Sequence, residues 1–186
     1  MTAHENLSRC TFRTPLGWIS MVGSRVADDR GPTVLRRLVF GYRSAEAAER
    51  ALGPTWRRKS TPGAWDDRLR ERLTAYAGGE PVALDDVLVD FADATPFAQS
   101  VWSECRRIPY GETRTYAKLA AAAGSPRAAR AVGNCMAANP LPLVVPCHRV
   151  VPSGGRLGRF SAPGGAKTKC RLLEMERDAL ATQVGP

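Results

Sequence analysis

Residues Leu141-Pro142-Leu143-Val144-Val145 carry only apolar side chains and no charge, so their cheapest place is inside a core. They run directly into Pro146-Cys147-His148-Arg149-Val150. Any fold this chain adopts must therefore bring a thiol, an imidazole and a guanidinium out of a buried run together. A cysteine in so electropositive a setting is expected to favour the thiolate, the nucleophilic form. The alternative is a buried cysteine acting as a small hydrophobe, the commoner fate of a lone thiol. Scarcity favours the chemical reading: the chain has two histidines, and the other, His4, lies at the N-terminus. His148 is thus the internal candidate for a general base to Cys147.

A base of that kind is usually oriented by a carboxylate on its second nitrogen. Near the C-terminus, Leu172, Leu173, Ala179 and Leu180 mark the apolar face of an expected helix, and Glu176 falls among them. A carboxylate in the middle of an apolar face is costly to bury without a partner, whereas Glu174 and Asp178 point away. Glu176 is the expected third member of a Cys–His–Glu relay. The other reading leaves Glu176 at the rim of the face with its head in water.

The 186 residues, 44% of them hydrophobic, can bury the core of one large domain or two small ones. No apolar run approaches the roughly 20 residues of a membrane-spanning helix. The opening Met1-Thr2-Ala3-His4-Glu5-Asn6 lacks the basic and apolar regions of a signal peptide. A cytoplasmic, monomeric protein with no membrane association is expected. The net charge of +9 is unevenly placed: residues 97–186 hold 13 basic and 5 acidic side chains, residues 1–96 hold 14 and 13. A cationic half suits a polyanion, of which nucleic acid is the commonest, although solvation or a GC-rich genome produces the same excess. The five cysteines (Cys10, Cys105, Cys135, Cys147, Cys170) are odd in number and form no CxxC pair. That argues against a disulfide framework and a spaced zinc site, so no metal ligands and no cofactor are expected.

Along the chain, a short polar lead precedes Thr14-Pro15-Leu16-Gly17, which opens a strand through Trp18–Val22. A second strand is expected at Val34–Phe40, and a helix capped by Ser44 at Ala45–Leu52. Trp65, Leu69, Leu73 and Tyr76 recur at helical spacing up to Gly78-Gly79, and Leu84–Phe91 reads as a strand. This half is an α/β domain over residues 1–93. Residues 94–186 read as a mainly helical domain. There Thr95-Pro96 starts one helix, Thr113–Ala123 forms a second, and Ser125-Pro126 opens a third that runs to Ala138. The last two make a helix-turn-helix pattern, with Arg127 and Arg130 on a recognition helix whose other side chains are small. Alanine-rich helix pairs also serve in ordinary cores. Asn139-Pro140 turns the chain toward Leu141. Gly154-Gly155 and Gly164-Gly165 bracket a loop able to close over a substrate.

Ile108-Pro109-Tyr110-Gly111-Glu112-Thr113, Arg130-Ala131-Val132-Gly133, Asn139-Pro140 and Pro146-Cys147-His148-Arg149-Val150 together resemble the methylated-DNA–protein-cysteine methyltransferases. The resemblance is dense from Pro96 to Glu176 and thinner upstream. It implies a small ribonuclease-H-like N-terminal sheet and a winged-helix-like C-terminal domain. It implies stoichiometric transfer of an alkyl group from O6-alkylguanine, and from O4-alkylthymine, in duplex DNA to Cys147. In that scheme His148 acts through a water, Glu176 orients it and Asn139 braces the turn. Tyr116 would turn the target phosphate and hydrogen-bond the flipped base, while Arg130 fills the gap in the stack. Arg127, Ala128 and Ser125 would meet DNA from the minor groove. Pro142, Val150, Arg159, Phe160 and Ser161 would line the substrate pocket. Two positions depart from the family pattern, Phe160 for its usual tyrosine and Arg159 for its usual glycine. Segment 161–169 is also longer than in many relatives. Two rival readings are a non-reactive DNA-binding module, lesion-flagging or regulatory, and a cysteine hydrolase using Cys147 and His148.

Overall fold

Gly17 has a backbone φ of +102°, and a Cβ there would lie 2.8 Å from the Tyr42 carbonyl oxygen, so only glycine fits this turn. It joins β1 (Leu7–Thr14) to β2 (Gly17–Arg25) in an antiparallel hairpin whose register runs from Thr14 opposite Gly17 to Leu7 opposite Ser24. The computed structural model describes residues 7–25, 33–63, 67–154 and 157–183. The chain divides into two compact units: Met1–Gly78 with Asp86–Asp90, and Gly79–Asp85 with Phe91–Pro186.

In the first unit β3 (Thr33–Tyr42) pairs antiparallel with β2, followed by α1 (Ala45–Leu52), α2 (Pro54–Lys59), β4 (Ser60–Pro62) and α3 (Asp67–Ala77). The mixed sheet has the order β3-β2-β1-β4, with β4 parallel to β1. Ser44 caps α1 as expected, its hydroxyl accepting from the Ala47 amide. The polar lead is a correction: Leu7–Thr14 is a full strand. Two of its polar side chains, Arg9 and Thr11, have partners within the unit. Arg9 donates to the Ser60 carbonyl at 3.0 Å, and the Thr11 and Ser20 hydroxyls are 2.8 Å apart. Strand propensity is thus overridden by satisfied polar contacts.

Leu84–Phe91 is also corrected, since it makes only one isolated bridge, Leu35 to Val89. The segment turns at Asp85-Asp86, residue types that favour turns, and the Asp86 carboxylate is taken by Arg72. Helix α3 carries buried Leu69, Leu73 and Tyr76 at the expected spacing; Trp65 lies outside the described residues.

The second unit contains α4 (Pro96–Arg106), β5 (Arg114–Thr115), α5 (Tyr116–Ala122), α6 (Ala129–Ala137), a 3₁₀ turn at Cys147–Arg149, β6 (Val150–Val151) and α7 (Ala166–Gln183). Thr95 caps α4, accepting from the Ala98 amide at 3.3 Å. Trp102 of α4 donates to the Cys135 carbonyl of α6 at 2.9 Å and ties the two helices together. Helix α6 begins at Ala129, not at Pro126. Pro126-Arg127 form a turn closed by the Ala128 amide on the Ser125 carbonyl at 2.9 Å. Here the proline serves the turn rather than the first helical position. Arg127 and Ala128 therefore precede the helix, and Arg130 is its second residue. The buried face of α7 is also corrected. Lys169, Leu172 and Glu176 are fully buried on it, while Leu180 is 36% exposed.

Candidate active site

Leu141–Val145 is buried except for a half-buried Pro142, and it is folded as a tight turn rather than a strand. The Val145 amide donates to the Leu141 carbonyl at 2.8 Å. Leu143 takes a left-handed backbone with φ of 74°, a conformation costing a side-chain-bearing residue about 1 kcal/mol or more. Asn139 holds the turn from both ends. Its Nδ2 donates to the Val145 carbonyl at 2.8 Å, and its Oδ1 accepts from the Leu141 amide at 2.9 Å. The turn delivers Cys147 into the 3₁₀ turn, and β6 follows at once. Pairing of β6 with β5, Arg114 opposite Val150 and Thr115 opposite Val151, sets the cysteine segment beside the start of α5. Tyr116 is the first residue of that helix.

His148 and Glu176 are both fully buried, and His148 Nε2 lies 2.8 Å from Glu176 Oε1. A carboxylate only accepts, so the ring hydrogen sits on Nε2 and Nδ1 is the basic nitrogen of the neutral imidazole. Glu176 has further donors. Arg149 reaches it through Nε at 2.9 Å and through its terminal nitrogen at 2.9 Å, and the Gly111 amide donates at 3.0 Å. Glycine suits position 111 because its φ is +76°, a left-handed backbone that strains a residue with a side chain. The remaining Arg149 nitrogen donates to the Ile108 carbonyl at 2.7 Å, and the guanidinium carbon lies 5.5 Å from the Tyr110 ring centre.

Titration behaviour follows from this packing. Burial lowers His148 despite the attraction of Glu176, so the ring is held neutral. Burial alone would raise the Glu176 carboxyl, yet His148 and Arg149 together bring it down to about 2. Burial raises the Cys147 thiol, opposed by a hydrogen bond from Asn139 and by the charge of Lys169. The expected resting thiolate is thus corrected: desolvation outweighs the nearby cations, and Cys147 rests as a protonated thiol. A thiol in that form becomes a nucleophile only when a base takes its proton.

Cys147, His148, Glu176, Asn139 and Val150 are brought together with Tyr116, whose hydroxyl is raised by burial and by the neighbouring Cys147. A Cβ on Gly158 would lie 3.7 Å from the Tyr116 hydroxyl, which puts the loop against this tyrosine. Phe160 and Pro142 are half-buried, and Arg159 and Ser161 are exposed. Arg127 and Arg130 are exposed around the start of α6, with Ala128 half-buried between them in sequence and Ser125 half-buried just before them. Sequence reasoning passed over Lys169. Its ammonium donates to the Val150 carbonyl at 2.5 Å and lies 5.9 Å from the Tyr116 ring centre. The signal was present, because Lys169 shares a helix face with Leu172 and Glu176. Among the described residues no cluster of three metal-binding side chains occurs, and no helix is long and apolar enough to cross a membrane.

Residues 96–178 match the family model described as 6-O-methylguanine DNA methyltransferase, DNA binding domain. The chain is 43% identical over 116 residues to the methylated-DNA–protein-cysteine methyltransferase of Mycobacterium bovis, covering 62% of this chain and 67% of that one. It is 42% identical over 121 residues to the constitutive methylated-DNA–protein-cysteine methyltransferase of Bacillus subtilis, covering 64% and 69%. Its fold is similar to that of Mycobacterium tuberculosis OGT solved in complex with DNA, with a TM-score of 0.70 and 34% identity over 92% of this chain and 94% of that one. A buried thiol, a neutral histidine and a clamped carboxylate thus occur in a chain that, by these likenesses, belongs to the methylated-DNA–protein-cysteine methyltransferases.

Proposed function

We propose that this protein repairs DNA by moving an alkyl group from O6-alkylguanine, and from O4-alkylthymine, onto Cys147 in a single turnover. The observation that carries this reading is the buried pair of His148 and Glu176, with His148 next to a buried Cys147 on the same 3₁₀ turn. His148 Nδ1 takes the Cys147 proton through a water, and Glu176 steadies the imidazolium that forms. The sulfur attacks the alkyl carbon in line, the S–C bond forms and the O6–C bond breaks. The departing guanine accepts a proton from Tyr116 and leaves neutral. The thioether has no good leaving group, so Cys147 is not regenerated.

The alkyl carbon is inaccessible in a stacked base, so the nucleotide is extruded from the duplex at a cost of about a few kcal/mol. Arg130, exposed near the start of α6, fills the gap, and the small residues of α6 permit close approach in the minor groove. Arg127, Ser125 and Ala128 meet the backbone from the preceding turn. Pro142, Val150, Arg159, Phe160 and Ser161 form the walls of the base pocket. Mycobacterium tuberculosis OGT in complex with DNA, similar over most of this chain, supports DNA as the partner. In the same reading the sheet order β3-β2-β1-β4 belongs to a ribonuclease-H-like unit, the helical unit is winged-helix-like, and the protein acts as a monomer.

Intact-protein mass spectrometry after incubation with duplex carrying one O6-methylguanine tests the reading. The expected result is one added methyl per chain, mapped to Cys147 and absent from Cys147→Ala. Tight lesion binding with no mass change would replace transfer by recognition alone.

A further inference from the structure

Val150 and Val151 of β6 pair in parallel with Arg114 and Thr115 of β5. The next residues along the two strands are Pro152 and Tyr116, which the register brings to the same end of the ladder. Proline has no amide hydrogen for a further rung, and Tyr116 instead enters α5. The ladder thus ends at the tyrosine read above as the proton donor to the departing base.

The Tyr116 ring has the buried Lys169 ammonium 5.9 Å from its centre. Its hydroxyl has no hydrogen-bond partner among the described residues, so packing decides where it points. Gly158 supplies that packing. Its φ is +72°, and a Cβ there would lie 3.2 Å from Pro152 Cγ, 3.4 Å from Pro152 Cδ and 3.7 Å from the Tyr116 hydroxyl. The bare backbone of Gly158 rests on the proline ring and faces the hydroxyl at the same time. A proline ring is a firm seat, because its closed ring leaves little torsional freedom. Placement matters here, since a misplacement of about 1 Å can cost a reaction about 10²-fold.

We propose that Pro152 is a positioning residue for proton transfer: through Gly158 it holds the Tyr116 hydroxyl where the departing base can take its proton. The inference rests on the transfer reading above and adds a residue to it.

Single-turnover alkylation of Cys147 in the full chain, compared for two reagents, tests the role. Free O6-benzylguanine releases a base that leaves with a proton, whereas iodoacetamide releases iodide, which needs none. Pro152→Gly is expected to slow benzyl transfer at least fivefold and to leave iodoacetamide labelling of Cys147 within twofold. Unfolding would instead expose the buried thiol and speed that labelling. Pro152→Ala, a milder change to the backbone, is expected to show the same selectivity with at least a threefold loss. Added to Tyr116→Phe, Pro152→Gly should slow benzyl transfer less than twofold further, because the donor it positions is gone. Equal slowing with both reagents would make Pro152 a support of the cysteine segment and overturn the proposal. A full further loss in the Tyr116→Phe background, or an unchanged benzyl rate in both proline variants, would overturn it as well. No benzyl transfer by the wild type, with iodoacetamide labelling intact, marks a failure of the transfer reading instead.

Discussion

His148 Nε2 lies 2.8 Å from Glu176 Oε1 with both side chains fully buried, and the same carboxylate is held from its other sides by Arg149 and the Gly111 amide. The carboxylate is therefore a fixed anion that sets the histidine tautomer, and Nδ1 is the nitrogen left to move a proton.

Glu176→Gln keeps the shape and removes the charge. The Arg149 guanidinium is then buried without its counter-charge, which costs about 3–5 kcal/mol in comparable cases. Urea denaturation is expected to show a loss of that size. Single-turnover methyl transfer by the folded fraction should slow on the order of 10²-fold, as expected for loss of assisted proton transfer. An unchanged transfer rate in folded protein would leave Glu176 a structural role only.

Two groups tie stability to pH in the same direction. Burial holds folded His148 below its ordinary value of 6.5, so below that pH the unfolded ring takes a proton that the folded ring resists. Its contribution is complete above the unfolded value and declines as pH falls through it. Glu176 is raised by burial but brought by His148 and Arg149 from 4.5 to about 2. It stabilises above pH 4.5 and loses that contribution as pH falls toward 2. Melting temperature against pH should therefore decline in two stages below neutrality. His148→Gln should lack the upper stage, and a wild-type profile flat between pH 7 and pH 5 would contradict the neutral, buried ring.

Lys169→Met removes the cation that opposes desolvation of Cys147. The thiol should titrate higher than in the wild type, read as the pH dependence of iodoacetamide labelling at Cys147. An unmoved labelling profile would assign Lys169 to packing and to its bond with the Val150 carbonyl alone.

Arg130→Ala tests base extrusion apart from chemistry. Transfer from methylated duplex should fall at least tenfold, while reaction with free O6-benzylguanine, which needs no flipping, should stay within twofold. Equal losses on both would remove the stack-filling role. Duplex binding should also fall steeply with salt, as release of counterions from phosphate contacts requires.

The sequence by itself determined the segment around Cys147 and singled out His148 and Glu176, which the fold sets against each other. An uncharged run must be buried, a lone internal histidine beside a cysteine has few other uses, and a glutamate among leucines on a helix needs a partner. Those are local patterns, and periodicity exposes them. It also fixed the elements with strong local signals: the Ser44-capped helix, the Thr95-Pro96 start of α4, and the spacing of Leu69, Leu73 and Tyr76. Only the tertiary structure decided what depends on distant partners. Leu7–Thr14 looks polar because its partners lie on other strands and helices, Leu84–Phe91 breaks at a turn whose Asp86 is engaged by Arg72, and Pro126 closes a turn instead of opening a helix. The protonation of Cys147 was beyond sequence for the same reason. Neighbouring cations are visible along the chain, but the desolvation that outweighs them exists only once the core has closed around the thiol.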